Sequence, residues 1–343
     1  MILEPAFLSI DHYWNEQDSM EFWQPYISHI CFQHDIRIEK IFVGIPGTNV
    51  VFVINDTYVI KIYTPFSDGP TSAKLEPEIY RLMELYYPAV NHLISIPKIL
   101  FSGQLFEKSK NWVWPYIILG WIPGTTYKSV ACNITIDEKN IILRTLAQSL
   151  KLFSSIPFSE IEVFQELERS FSYELRERYF SCQERHFLWN TMSPSMIKEI
   201  PQYILSPNMF TFFVDDSACI VHGDLTGDHL IGELKNGKWS PNGIIDFGDV
   251  KVTTHMYEII ALHLDMFECN KQLLRIFLEV YKPEYLSLAD FPKRMMILTL
   301  LHEFNILKRV YVKFPQAIHI TNLDFFADLL WNVHKTDSIQ NYQ

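Results

Sequence analysis

Two stretches decide how this chain folds: Val221-His222-Gly223-Asp224-Leu225-Thr226-Gly227-Asp228-His229-Leu230 and Gly243-Ile244-Ile245-Asp246-Phe247-Gly248-Asp249. Each sets an aspartate at the exit of a short apolar strand, and the leading aspartates, Asp224 and Asp246, are 22 residues apart. A hairpin-like connection between them brings the two strand ends together. Two carboxylates converging in one cleft suit divalent-metal binding combined with deprotonation of a hydroxyl.

The protein-kinase signature is H-R-D-x-x-x-x-N followed by D-F-G. Here the first element reads HGDLTGDH and the second IDFGD, with Tyr257-Glu258 opening the next helix. On these residues the chain resembles the aminoglycoside phosphotransferase and choline-kinase-like family, the small-molecule branch of the kinase fold, from about Ile36 to about Leu278. The resemblance implies an α+β, bilobal protein-kinase-like fold, with a small antiparallel-sheet lobe carrying one helix and a larger, mainly helical lobe. It also implies a small-molecule kinase that uses ATP or GTP with Mg²⁺ and phosphorylates a hydroxyl. Asp224 matches the catalytic aspartate and Asp246 the magnesium-binding one. His229 stands where most of the family has asparagine, a departure shared with the 2''-aminoglycoside phosphotransferases. As a metal ligand it is softer than Mg²⁺ prefers; its alternative role is a hydrogen bond to Asp246 or to a metal-bound water. His222 reads as a structural residue buried beneath the loop.

Working outward, a helix is expected over Asn15–Phe32, with Pro25 inside it. Strands follow at Ile36–Val43, Val50–Ile54 and Tyr58–Tyr63, the last two joined as a hairpin by Asn55-Asp56. A helix is expected over Glu76–Tyr87, then strands at Ile96–Phe101 and Tyr116–Trp121. Beyond Gly124 the pattern turns helical, over Ile136–Ser154, Phe164–Phe180, Met256–Tyr281 and Phe291–Tyr311. Short strands interrupt it near Cys219–Val221, His229–Gly232 and Gly243–Asp246. Proline and glycine at Trp121–Gly124 mark a hinge, giving a nucleotide lobe over 1–122 and a catalytic and substrate lobe over 123–343.

In the first lobe Gly44-Ile45-Pro46-Gly47-Thr48-Asn49 joins two strands. Read alone it is an ordinary turn; by the resemblance its Gly47, Thr48 and Asn49 approach phosphates through backbone N–H groups. Lys61, 14 residues after Gly47, matches the strand lysine on the phosphates. Flanked by Ile60 and Ile62, it faces away from its neighbours. Its acidic partner is expected to be Glu78, with Glu76 second because it precedes Pro77. The resemblance places adenine against the Gly120 carbonyl and the Ile122 N–H, between the apolar residues Val59, Leu119, Leu230 and Ile245.

The acceptor side is read from proximity. Thr226 and Asp228 follow the catalytic aspartate, and Asp265 and Glu268 lie on the next helix as a candidate cation site. The acids of Glu160–Trp189 are interleaved with Arg169, Arg176, Arg178 and Arg185, the pattern of a salt-bridged solvated helix. The 343 residues carry a net charge of −11, which argues against a protein held on nucleic acid by phosphate contacts. Five widely spaced cysteines without a CxxC pair favour reduced thiols over disulfides or zinc. With no stretch long enough to span a bilayer, the expectation is a cytoplasmic enzyme. Its partners would be a nucleoside triphosphate and a hydroxylated small molecule. A protein kinase and a nucleotide-binding pseudokinase scaffold are the competing readings. Against the first stand HGD in place of HRD and the missing A-P-E; against the second, the presence of Lys61, Glu78, Asp224 and Asp246.

Overall fold

The structure is a computed structural model that describes residues 3–5, 7, 9–45, 47–66, 69–86, 94–107, 113–204 and 217–342. Its contacts gather into two units. The first comprises Met1–Thr126, Leu230–Lys235 and Ser240–Asp249; the second comprises Tyr127–His229, Asn236–Trp239 and Val250–Gln343.

The first unit opens with two helices, α1 (Ile10–Glu16) and α2 (Met20–Gln33), where the sequence suggested one. The break has a local cause. The Ser19 side chain accepts the Phe22 N–H and so caps a fresh start. Pro25 is carried inside α2. Strands β1 (Ile41–Val43), β2 (Val50–Ile54), β3 (Tyr58–Ile62), β4 (Ile99–Leu105) and β5 (Trp114–Gly120) form an antiparallel sheet in the order β1-β2-β3-β5-β4. The β2–β3 hairpin turns on Asn55 and Asp56, with φ of 57° and 49°. Two successive left-handed residues are what a two-residue hairpin matched to strand twist requires. β1 is shorter than expected because the Asn55 side chain engages the preceding residues. It accepts from the Glu39 and Lys40 N–H groups, each at 2.9 Å, and donates to the Arg37 carbonyl at 2.7 Å.

Alternation sorts the sheet's two faces. Phe52, Ile54, Ile60, Ile62, Trp114 and Ile118 pack with Trp23, Ile27 and Ile30 of α2 into one core cluster. Lys61 and its partner Ile117 therefore point to the opposite face. Helix α3 (Gly69–Tyr86) begins a full two turns before the expected start and runs through Pro77. A further three-stranded sheet has the order β6 (Thr125–Thr126), β8 (Leu230–Lys235), β9 (Lys238–Ile244). Its β8–β9 turn is Asn236-Gly237, again with two positive φ angles, 55° and 77°. Gly124, at φ 129°, leads into this sheet so close to the Gly232 carbonyl that a Cβ would stand 2.1 Å from it. Only glycine meets both demands.

The second unit is mainly helical. α4 (Tyr127–Val130), α5 (Ile136–Phe153), the 28-residue α6 (Glu162–Trp189) and α7 (Pro194–Ile204) precede a short ladder in which β7 (Cys219–Val221) pairs antiparallel with β10 (Lys251–Thr253). The helix expected over Met256–Tyr281 is two, α8 (His255–Ala261) and α9 (Lys271–Tyr281). A π-helical turn at Leu262–Met266 and left-handed Glu268 and Cys269 separate them. Likewise α10 (Phe291–Leu300) and α11 (Leu307–Lys313) replace Phe291–Tyr311, and α12 (Leu323–Trp331) follows. All five cysteines are free and only Cys132 is exposed. No helix among the described residues is long and apolar enough to cross a membrane.

Candidate active site

In the first unit the site is organised by the Lys61 ammonium. It lies 2.6 Å from Asp246 Oδ1 and 2.7 Å from Glu76 Oε2, with 5% of the lysine exposed. Burial alone would lower the lysine pKa; the charges of Asp246 and Glu76 outweigh it and raise it, so the group stays a cation. Glu76 is fully buried and further accepts from the Tyr63 hydroxyl at 2.8 Å and the Tyr80 hydroxyl at 3.1 Å. Burial pushes both tyrosines well up, so they remain donors.

The acid on Lys61 is thus Glu76, not Glu78. Pro77 sits inside α3 without ending it, and the helix buries Leu75, Glu76, Ile79, Tyr80 and Met83 on one face. Glu78 is turned outward, where it pairs with Arg81. The i,i+3 spacing of Glu78 and Arg81, and Tyr80 four residues after Glu76, were the available signals.

Asp246 has φ 65°, an unusual backbone for a side chain that is not glycine. Phe247 behind it is buried and meets the Tyr80 ring edge-on at 5.6 Å, fixing the turn to α3. Gly47 lies opposite: a Cβ built on it would stand 3.8 Å from Asp246 Oδ2. Thr48 and Asn49 continue that loop, with Asn49 buried. At the far end of β5, the Gly120 N–H donates to the Lys98 carbonyl at 2.9 Å and the Trp121 N–H to the Thr57 carbonyl at 2.8 Å. The next N–H, that of Ile122, has no partner among the described residues. Leu119 is buried opposite Val59 in the β3–β5 register, Leu230 is fully buried, and Ile245 is half-buried.

In the second unit the loop after β7 is tied at both ends. The His222 N–H donates to Glu258 Oε2 at 2.6 Å, and Gly223 (φ 85°) turns the chain into Asp224. The Gly227 N–H donates to Asp265 Oδ1 at 3.0 Å, and Asp265 is itself held by Arg309 at 2.7 Å. Across the loop the His229 N–H donates to the Thr226 carbonyl at 3.1 Å. His229 Nδ1 lies 2.7 Å from the Asp224 carbonyl. A carbonyl only accepts, so Nδ1 carries the proton and Nε2 holds the lone pair, the tautomer that ligates metals. The His222 and His229 rings stack at 5.6 Å.

The four acceptor-side residues fall differently. Thr226 is buried inside the loop, Asp228 is ion-paired with Lys128, and Glu268 with Lys313. Asp265 braces the loop through Gly227. That bracing role, and the tie from Glu258, are contributions that sequence reading missed; the acid of Tyr257-Glu258, buried in an otherwise apolar helix start, was the signal.

Burial raises the Glu258 pKa to about 8; the His222 N–H opposes the rise and the Asp224 charge adds to it. The folded chain therefore keeps a proton that the unfolded chain loses near pH 4.5, so this group's contribution to stability is full below pH 4.5 and is lost as pH rises to about 8. Glu258→Gln keeps an acceptor for His222 without the titration. Its Tm should exceed wild type by about 5 °C or more at pH 9 and match or fall below it at pH 5. Parallel Tm–pH curves for the two proteins would count against a neutral Glu258.

Comparison with known proteins bears on the family and the fold. A family model described as the phosphotransferase enzyme family matches residues 44–291. Among solved structures, the GDP complex of aminoglycoside 2'-phosphotransferase-IIIa superposes with a TM-score of 0.63 at 18% identity, over 86% of this chain and 94% of that one. ADP-bound APH(2'')-Ib gives 0.55 at 22% identity over 86% and 90%. The gentamicin complex of APH(2")-IIa gives 0.55 at 20% identity over 88% and 97%. At such identities these likenesses establish the kinase-like fold. A curated relative, Lysine-specific demethylase JMJ21 of Arabidopsis thaliana, is 22% identical over 213 residues, 51% of this chain. The chain spans only about a fifth of that relative's length, 22% of it. With the family model covering well over half of its length, the chain belongs to the phosphotransferase enzyme family.

Proposed function

We propose that this protein transfers the γ-phosphoryl group of ATP or GTP to a hydroxyl of a small molecule. The observation that carries the reading is the buried Lys61 cation held between Glu76 and Asp246, with the Gly47 backbone beside the same aspartate. Phosphoryl transfer needs little covalent help from the protein; it needs a fixed cation, a cradle and an oriented nucleophile. Lys61 supplies the first. Gly47, Thr48 and Asn49 supply the second. The Ile122 N–H, with Leu119 and Ile245, offers a hydrogen-bonding edge and apolar faces for a purine.

Asp246, in the first unit, fits a magnesium ion, and His229, in the second, fits one less well. Asp246 offers carboxylate oxygen, the donor Mg²⁺ prefers, and His229 offers Nε2, which suits softer ions better. Mg²⁺ takes most of its ligands from phosphates and water, so one carboxylate is a sufficient protein contribution. When bound, the ion would neutralise charge developing on the transferred group.

On the acceptor side, Asp224 orients the incoming hydroxyl and takes its proton late. Glu258 and Asp265 hold the loop that presents it. A polycationic acceptor at Asp228 or Glu268 would have to displace Lys128 or Lys313. An aminoglycoside, the class bound by the solved neighbours, therefore stands beside uncharged hydroxylated metabolites as an acceptor. The test is a panel of both, with γ-labelled ATP or GTP. Label should move to at least one acceptor in the presence of Mg²⁺ and not with EDTA. Binding of nucleotide without transfer to any member would favour a scaffold role instead.

A further inference from the structure

Helix α1 lies before the stretch matched by the family model, which starts at residue 44, yet it reaches the glycine loop. Three successive carbonyls of that loop are taken up by its side. The Tyr13 hydroxyl donates to the Thr48 carbonyl at 2.8 Å. Gln17 Nε2 donates to the Gly47 carbonyl and, at 3.2 Å, to the Asn49 carbonyl. Both side chains are removed from solvent, Tyr13 at 0% and Gln17 at 6% exposure. Burial pushes the Tyr13 hydroxyl up to about 12, which keeps it a donor.

α1 is itself anchored. The Tyr13 ring stacks on Phe66 at 4.9 Å, and the Trp23 indole N–H donates to the Glu16 carbonyl at 2.8 Å. Trp23 belongs to the core cluster of the sheet. A continuous set of contacts thus runs from the sheet through α2 and α1 to the loop. The opposite side of that loop faces Asp246, through Gly47. A loop whose successive carbonyls are drawn to one side offers its N–H groups on the other, the arrangement that binds anions.

We propose that α1 is a clamp that presets the Gly47–Asn49 segment of the loop for the phosphates of the nucleotide, with Tyr13 and Gln17 as positioning residues. The proposal rests on the nucleotide-binding reading above. A glycine loop left free would lose conformational entropy each time a triphosphate ordered it; the clamp settles that ordering at folding. Its effect should fall on the phosphates and not on the base.

The test is titration of the full chain with ATP and GTP, and with adenosine and guanosine, alongside steady-state kinetics. Gln17→Leu and Tyr13→Phe should each weaken triphosphate binding about fivefold, the range for loss of one or two hydrogen bonds. The double variant should weaken it by more than tenfold. Nucleoside affinity and kcat at saturating nucleotide should stay within about twofold of wild type. Asn15→Ala, on the exposed side of α1, is the control and should change nothing. Tyr13→Phe removes a single oxygen, so it decides the matter if Gln17→Leu does not fold. Equal weakening of nucleoside and triphosphate, or a lower Tm with an unchanged ratio between them, overturns the clamp. A wild-type chain that binds neither triphosphate overturns the nucleotide reading itself, and the clamp with it.

Discussion

Asp224→Asn should lower kcat by about 10²–10⁴, the range for removing a positioned base, while nucleotide affinity changes by less than about threefold. The substitution keeps the size of the side chain and removes its charge and its capacity to take a proton. It leaves the contact with His229 in place, because the group that binds His229 Nδ1 is the backbone carbonyl of residue 224. Lys61, Glu76, Asp246 and Gly47 all belong to the other unit. The proposed contact with a triphosphate therefore does not depend on this carboxylate. The separation of kcat from binding is what marks an interaction made in the transition state. Measured with an acceptor from the panel, turnover near the wild-type rate would falsify the catalytic assignment.

The second large effect is on stability. Glu76→Ala should cost about 3–5 kcal/mol, the usual penalty for removing one partner of a buried ion pair. It strips Lys61 of one of its two carboxylates and leaves the Tyr63 and Tyr80 hydroxyls without their acceptor. Glu78→Ala removes only a surface pair with Arg81 and should stay within about 0.5 kcal/mol of wild type. Urea or thermal unfolding of the two variants side by side checks this. Equal losses would mean that neither acid is the structural partner of Lys61. Activity should follow the same order, because a lysine released from Glu76 no longer has a fixed position.

The chemistry of the loops was more legible in the sequence than the extent of the helices. HGD and IDFGD announced the fold through the family resemblance they carry, not through any geometry of their own. Lys61 could be aimed from its own flanks, since Ile60 and Ile62 had to enter the core and a strand alternates. The Asn55-Asp56 hairpin followed from backbone preference alone. Glu76 was misjudged for a physical reason. A residue before proline is biased away from helix, but packing of Leu75, Ile79 and Met83 overrides the bias over a long helix. The breaks at Ser19 and at Glu268-Cys269 were illegible to periodicity. Apolar spacing continues across them, and only a cap or a left-handed residue ends the helix. Asp265 and Glu258 escaped for another reason. Their partners are backbone N–H groups 38 and 36 residues away, and backbone groups have no signature in a sequence. Asp228, named for its nearness to Asp224, and Glu268, named for a cation site, carry lysine partners that become neighbours only after folding.

The composition of the first unit has a consequence for the order of assembly. Its sheet, α2 and α3 are complete within Met1–Thr126, but Leu230–Lys235 and Ser240–Asp249 belong to it too. On a ribosome, Lys61 emerges long before Asp246, 185 residues further on. Until then its ammonium has Glu76 alone, in a pocket that folding is already drying. A sheet formed from the first 126 residues alone therefore presents a lysine with one of its two carboxylates still to come. Such late closure is the kind of non-local step that slows folding and exposes intermediates. A nascent chain halted before residue 246 would hold that lysine in a partly wet state, and the final strand turn, rather than the growth of the sheet, would commit the small unit to its native form.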